Sequence, residues 1–242
     1  MQPLESLIIV AMAALVHASF QLSVSMLTLL SSHTIGAKHS HRRLLRLSGS
    51  FTLGVVVMTL FMLSTIALFA QKLLKSTDMM FAWIAVCGLL FGLGVAVWIF
   101  YYRREQGTTL WIPRPLALFL AERTKQTKQA AEAFSLGLTS VIAEFLFIVP
   151  PMLVSALVLL SLPALWQLGG ILLYVLISLS SLLIVHMLIG GGHRISRIQQ
   201  WREEHKRFLQ FAAGSGLLIL GFYVYVDRVL SPAVMSAAMG VM

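Results

Sequence analysis

Charge is what this chain has least of. Asp, Glu, Lys and Arg make up 11% of its 242 residues, where an ordinary soluble domain carries about 25%. Acids are the scarcest group, with nine against 18 Lys and Arg. There is one cysteine, Cys87, which rules out an intramolecular disulfide and a paired-thiol redox centre. Its expected role is that of a small apolar residue in a helix interface. No phosphate-binding glycine loop, dinucleotide fingerprint, nucleophile elbow or HExxH zinc motif occurs, so the common catalytic signatures are missing and no cofactor is expected. An enzyme is not the expected reading.

What fills the chain is apolar sequence. Hydrophobic residues reach 58% and the mean hydropathy is +0.88, the composition of an integral membrane protein. Six runs meet the roughly 20-residue length of a membrane span, at 4–30, 47–70, 79–102, 134–162, 165–190 and 208–226. Continuous apolar runs do not alternate as barrel strands do, so the expected class is an all-α polytopic membrane protein. The first run has no basic leader or cleavage pattern and reads as a retained helix. The basic residues define a topology. Loops 31–46, 103–133 and 190–207 hold 15 of the 18 Lys and Arg, leaving Lys72, Lys75 and Arg228 on the other side. By the positive-inside rule those loops are cytoplasmic and both termini lie outside. The net charge of +9 therefore points to anionic lipid headgroups and not to nucleic acid.

The loop at 103–133 separates two sets of three spans, residues 1–102 and 134–242. Within it, TLWIPRPLALFLAE is too short to span and is broken by Pro113 and Pro115, which suggests an interfacial segment. The two halves share spacing. His17, Gln21, Thr28 and Ser32 recur as Ser140, Glu144, Pro151 and Ser155 at an offset of 123, each set within a helical stripe of about 60°. LSGSF (47–51) matches LGGIL (168–172) at an offset of 121, and GLLFGLG (88–94) matches GLLILG (216–221) at 128. Three spans per half is an odd number, so the second half enters the membrane inverted. The expected architecture is a 3+3 inverted-topology repeat, which places solute sites near the midplane.

Glu144 is the one acid deep inside these runs. A charged side chain at the bilayer centre costs about 2.5–3.5 kcal/mol on insertion scales. Chains accept that cost where the group exchanges protons, coordinates a cation or pairs with a cationic solute; the structural alternative is a hydrogen-bonded carboxyl between helices. Gln21 occupies the matching place in span one, with His17 one turn earlier and Ser25 and Thr28 on the same stripe. Ser140 lies one turn before Glu144. His17 and Glu144 are the weak metal-ligand candidates, and no metal site is assigned. Pro150 and Pro151 remove two backbone donors from span four and predict a kink there that contributes to a gate. The glycines at 49, 54, 88, 92, 94, 169, 170, 216 and 221 predict close helix approach. His33, His39 and His41 form a loop cluster, expected to be a solvated basic segment and not a metal site.

The 3+3 spans, basic odd-numbered loops, long central loop, F-x-x-G at Phe134–Gly137 and G-L-L-x-x-G third helices resemble the lysine-exporter (LysE) superfamily. His17-Ala18 and the GLTSVIAE of Gly137–Glu144 look loosely like its nickel/cobalt efflux branch, although span one carries Gln21 and no acid. The CcdA/DsbD thiol-carrier branch needs cysteines in spans one and four, which this chain lacks. The amino-acid exporters' Asn-Pro in span four is also missing. The resemblance implies a cell (inner) membrane transporter that exports a small solute or cation, with Glu144 coupling movement to protons; a homo-oligomer is compatible with it. The alternative is a non-transporting scaffold or subunit of a larger membrane complex.

Overall fold

The computed structural model describes residues 3–21, 41–74, 79–101, 129–192 and 195–234. All regular structure among them is helical. Helix α1 covers Pro3–Gln21, α2 His41–Leu74 and α3 Met79–Ala96, which ends in a wider π turn at Val97–Tyr101. The second half contains α4 (Ala130–Ala143), α5 (Phe145–Leu160), α6 (Ala164–Ser178) and α7 (Ser180–Gly190). It closes with α8 (Ile195–Glu204) and α9 (Lys206–Tyr225), the last continuing as a π segment, Val226–Leu230.

Local chemistry sets the ends of these helices. Pro3 starts α1, where its missing amide costs nothing. Gln129 and Glu132 close a capping box on α4, with the Gln129 amide donating to Glu132 Oε2 at 3.1 Å. Pro163 precedes α6 and forms the short hairpin after α5. Among the described residues four helices are long and apolar enough to cross a membrane, and the bent pairs α4–α5 and α6–α7 raise the number to as many as six.

Polarity is arranged inside-out. Large apolar side chains such as Phe61, Phe69, Leu165, Leu172, Met187, Ile219 and Phe222 lie exposed on the outside, as a lipid-facing surface requires. The interior holds His17, Gln21, Ser48, Thr59, Ser140, Glu144, Ser155 and Ser178, all at zero exposure. In the packing, α1 lies against α5 and α6, α2 against α4, and α3 against α9.

Glycine explains two of those contacts, while three other glycines make none. A Cβ on Gly54 would run into the Phe134 carbonyl oxygen, and one on Gly137 into the Phe51 carbonyl oxygen. The matching words FTLG (51–54) and FSLG (134–137) thus let α2 and α4 cross backbone on backbone. On the other side, Gly94 of α3 faces Gly214 and Leu218 of α9, while Trp98 stacks on Phe211 with ring centroids 5.6 Å apart. Gly88, Gly92 and Gly169 have nothing within 4 Å; for these three the expectation of close helix approach is corrected, because they sit on the outward face.

Two further features differ from the sequence reading. The 190–207 loop contains the helix α8, and the last candidate span runs Arg207–Val234, well past residue 226. Asp227 and Arg228 therefore lie within it as a second acid–base site, paired at 2.8 Å. Two adjacent opposite charges largely cancel, which is how a helix end tolerates them. The interfacial stretch before residue 129 lies outside the described residues.

The glycine contacts carry a prediction. Gly54→Ala and Gly137→Ala should each destabilise the protein by about 1–3 kcal/mol, whereas Gly88→Ala and Gly92→Ala should have almost no effect. Unfolding of the purified protein in mixed micelles measures this, and equal effects at the four sites would contradict the crossing.

Candidate functional site

The helix pair α4–α5 breaks at Glu144. Helices α4 and α5 meet there at 79°, with Glu144 in a bent conformation between them (φ −87°, ψ −2°). Its amide still reaches back to the Ser140 and Val141 carbonyls at 3.3 and 3.1 Å, and its own carbonyl accepts from Phe147 and Ile148 at 2.9 and 3.2 Å. Pro150 and Pro151 lie six and seven residues further on, buried inside an unbroken α5. The large bend of this helix pair therefore lies upstream of the prolines. A proline ring clashes with the carbonyl four residues before it, here those of Leu146 and Phe147. Bending at Glu144 places those two residues in the first turn of α5, which continues through both prolines.

A break of this kind brings the last carbonyls of one helix and the first amides of the next to one place. The side chain at that place is a carboxyl with zero exposure, and Ser140, one turn earlier, is equally buried. Ser140 Oγ donates to the Gly137 carbonyl at 2.8 Å. Ser155 likewise donates to its own helix, to the Pro151 carbonyl at 3.1 Å. These hydroxyls serve local backbone bonding.

The span-one candidates form a second cluster. His17 Nδ1 lies 2.9 Å from the Tyr174 hydroxyl, and His17 Nε2 lies 3.3 Å from Gln21 Nε2. All three residues are fully buried. Gln21 Oε1 has no hydrogen-bond partner among the described residues. Two proton arrangements satisfy the His17 ring. With the amide as placed, Gln21 donates to Nε2 and the Nδ1 proton goes to the Tyr174 oxygen. With the amide turned over, the Nε2 proton goes to Gln21 Oε1 and Tyr174 donates to Nδ1. Amide orientation and tautomer are assigned from such networks. The chain Tyr174–His17–Gln21 therefore has two self-consistent states related by a ring tautomer change.

The two clusters are joined by aromatic packing. Phe20 stacks on Phe147 with centroids 4.9 Å apart, one residue from Gln21 and three from Glu144. This holds the end of α1 against the start of α5. Ser25 and Thr28 lie outside the described residues, as do His33 and His39. No group of three His, Cys, Asp or Glu side chains suited to a metal occurs among the described residues.

Tyr174 was not among the sequence candidates. Its signal was present, since Gly170, Tyr174, Ser178 and Ser181 recur on one helical face and all four are buried. A second histidine is held across the halves as well: His186 Nδ1 of α7 lies 2.9 Å from Ser48 Oγ of α2. Each histidine bonds a hydroxyl supplied by the other half. No protein family, characterised relative or solved structure matches the chain.

Tyr174→Phe should destabilise the protein by about 0.6–1.7 kcal/mol, the range of hydrogen bonds between membrane helices, and His17→Phe with Tyr174→Phe should cost less than the sum of the two. A double-mutant unfolding cycle measures the coupling. Additive effects would show that the His17–Tyr174 contact carries no energy.

Proposed function

We propose that the protein is a transporter of the cell (inner) membrane that exports a small solute or cation, with Glu144 as the proton-coupling group. One observation carries this reading: a fully buried carboxyl sits at the 79° break of a membrane-length helix pair. Discontinuous helices whose ends face a midplane site are the usual device of secondary transporters. The break supplies oxygen ligands from Ser140, the end of α4 and the Glu144 carboxyl, which suit a cation or an ammonium group. His17, Gln21 and Tyr174 supply the facing polar wall.

The packing supports an inverted 3+3 repeat. Exchanging spans one, two and three with four, five and six converts the α2–α4 contact into the α6–α1 contact. It also maps the α3–α9 and α1–α5 contacts onto themselves. The correspondence is incomplete at span two, where α2 is a single helix while its counterpart bends by 53° between α6 and α7. In alternating access one half rocks against the other, and the His17–Tyr174 and Ser48–His186 bonds are two of the polar links across that boundary. The likeness to the LysE superfamily is part of the same proposal, as is the cytoplasmic placement of the basic loops.

The complete burial of Glu144 favours a second reading, a non-transporting scaffold in which the carboxyl is sealed between helices. An occluded transporter presents the same picture, so movement has to decide. Everted membrane vesicles carrying the protein, acidified inside and reporting pH with a fluorescent dye, should lose their gradient when a transported cation is added. Nickel, cobalt, zinc, lysine and arginine form the screen. Glu144→Gln, checked for normal membrane abundance, should abolish the response. A Glu144→Gln protein that matches wild type at every pH would overturn the coupling role, and no response to any solute in the panel would favour the scaffold.

A further inference from the structure

We propose that the cleft between α1, α7 and α8 binds an anionic phospholipid, with its acyl chain in the cleft and its phosphate on Arg197. The cleft measures about 610 Å³, within the range of about 300–1,000 Å³ that small-ligand sites occupy. Leu15 and Ala18 of α1, Ile184 and Leu188 of α7 and Ile198 of α8 give it apolar walls. Such walls suit hydrocarbon and offer little to a polar solute. The cleft is distinct from the clusters around Glu144 and His17, none of whose residues line it.

Its polar features sit where a lipid needs them. Helix α8, ISRIQQWREE, repeats Ile195, Ile198 and Trp201 among charged and amide residues, the pattern of a helix lying in the interface. Ile198 is buried, whereas Trp201 and Arg197 of the same helix border the cleft and are exposed. Tryptophan favours the headgroup level. Trp201 is also held in place by stacking on His205, with centroids 4.8 Å apart. Arg197 makes no ion pair among the described residues. Its guanidinium is therefore available for a phosphate oxygen. Ser181 lines the cleft further along α7 and its hydroxyl, buried, has no partner among the described residues, which leaves a donor for an ester carbonyl.

The occupant is committed by charge. Arg194, Arg197, Arg202, Lys206 and Arg207 crowd this one loop, and anionic lipids are enriched in the leaflet such loops face. A zwitterionic lipid would fill the walls equally well but gain less from Arg197. The inference rests on the loop's cytoplasmic placement and not on transport, so it survives if the transporter reading fails.

Electron spin resonance of the full-length protein in phosphatidylcholine bilayers tests it, using spin-labelled phosphatidylglycerol and spin-labelled phosphatidylcholine as probes. Wild type should immobilise phosphatidylglycerol preferentially. Arg197→Gln should weaken that preference about fivefold, while Arg207→Gln, outside the cleft, should leave it unchanged. Ile184→Trp, at an exposed wall position that tolerates bulk, should displace the immobilised fraction of both probes. Equal immobilisation of the two lipids by wild type would overturn the proposal. So would equal losses in Arg197→Gln and Arg207→Gln, or an Ile184→Trp protein that immobilises lipid as wild type does.

Discussion

A bilayer interior offers no hydrogen-bond partners, and the arrangement of this protein follows from that constraint. Every polar group at membrane depth has to be satisfied by another part of the chain. The polar residues accordingly gather inside while phenylalanine, leucine and isoleucine cover the outside. The interior partners are shared between halves: His17 with Tyr174, and His186 with Ser48. Each such bond ties the two halves together more firmly than the exchange of one apolar contact for another, because lipid competes equally well for apolar surface. The glycine crossings of α2 with α4 and α3 with α9 add close backbone packing between the halves.

The same constraint gives the break at Glu144 its meaning. A bent helix pair frees backbone groups, and freed groups in an apolar interior need partners. Among the described residues the one fully buried acidic side chain, Glu144, sits at that bend, along with Ser140 on the preceding turn. Sealed, this is a structural joint. Opened to water on one side, it is a site for a cation or a proton. The His17 network, three residues from the Phe20–Phe147 stack, adds a group that can pass between two tautomers without any net change in hydrogen bonding.

Much of the helical plan was legible because hydropathy acts over whole spans. Runs of about 20 apolar residues remain visible whatever their neighbours do. Glu144, His17, Gln21 and Ser140 stood out because polar side chains at that depth are costly. What depends on contacts was harder to see. The large bend lies at Glu144, upstream of Pro150-Pro151, and depends on how α4 and α5 pack and not on the prolines' own positions. Tyr174 passed as one more aromatic among apolar neighbours, and only its hydroxyl's partner on α1 distinguishes it. Gly88 and Gly92 have the spacing of a packing motif yet face outward, whereas Gly54 and Gly137 have no such spacing within their own helices and make the tightest crossing. Helix α8 is too short and too polar to register as a span, and the cleft it lines with α1 and α7 depends on contacts between elements far apart in sequence.

The central claim is that the carboxyl at the break of span four belongs to a solute path. The most direct measurement is thiol accessibility of Glu144→Cys in a Cys87→Ser background, using a membrane-impermeant maleimide applied separately to right-side-out and everted vesicles. The account predicts labelling from at least one side, with a rate that changes when a transmembrane pH gradient is imposed. A cysteine at 144 that stays unlabelled from both sides, in a protein that unfolds at the same denaturant concentration as wild type, would contradict it.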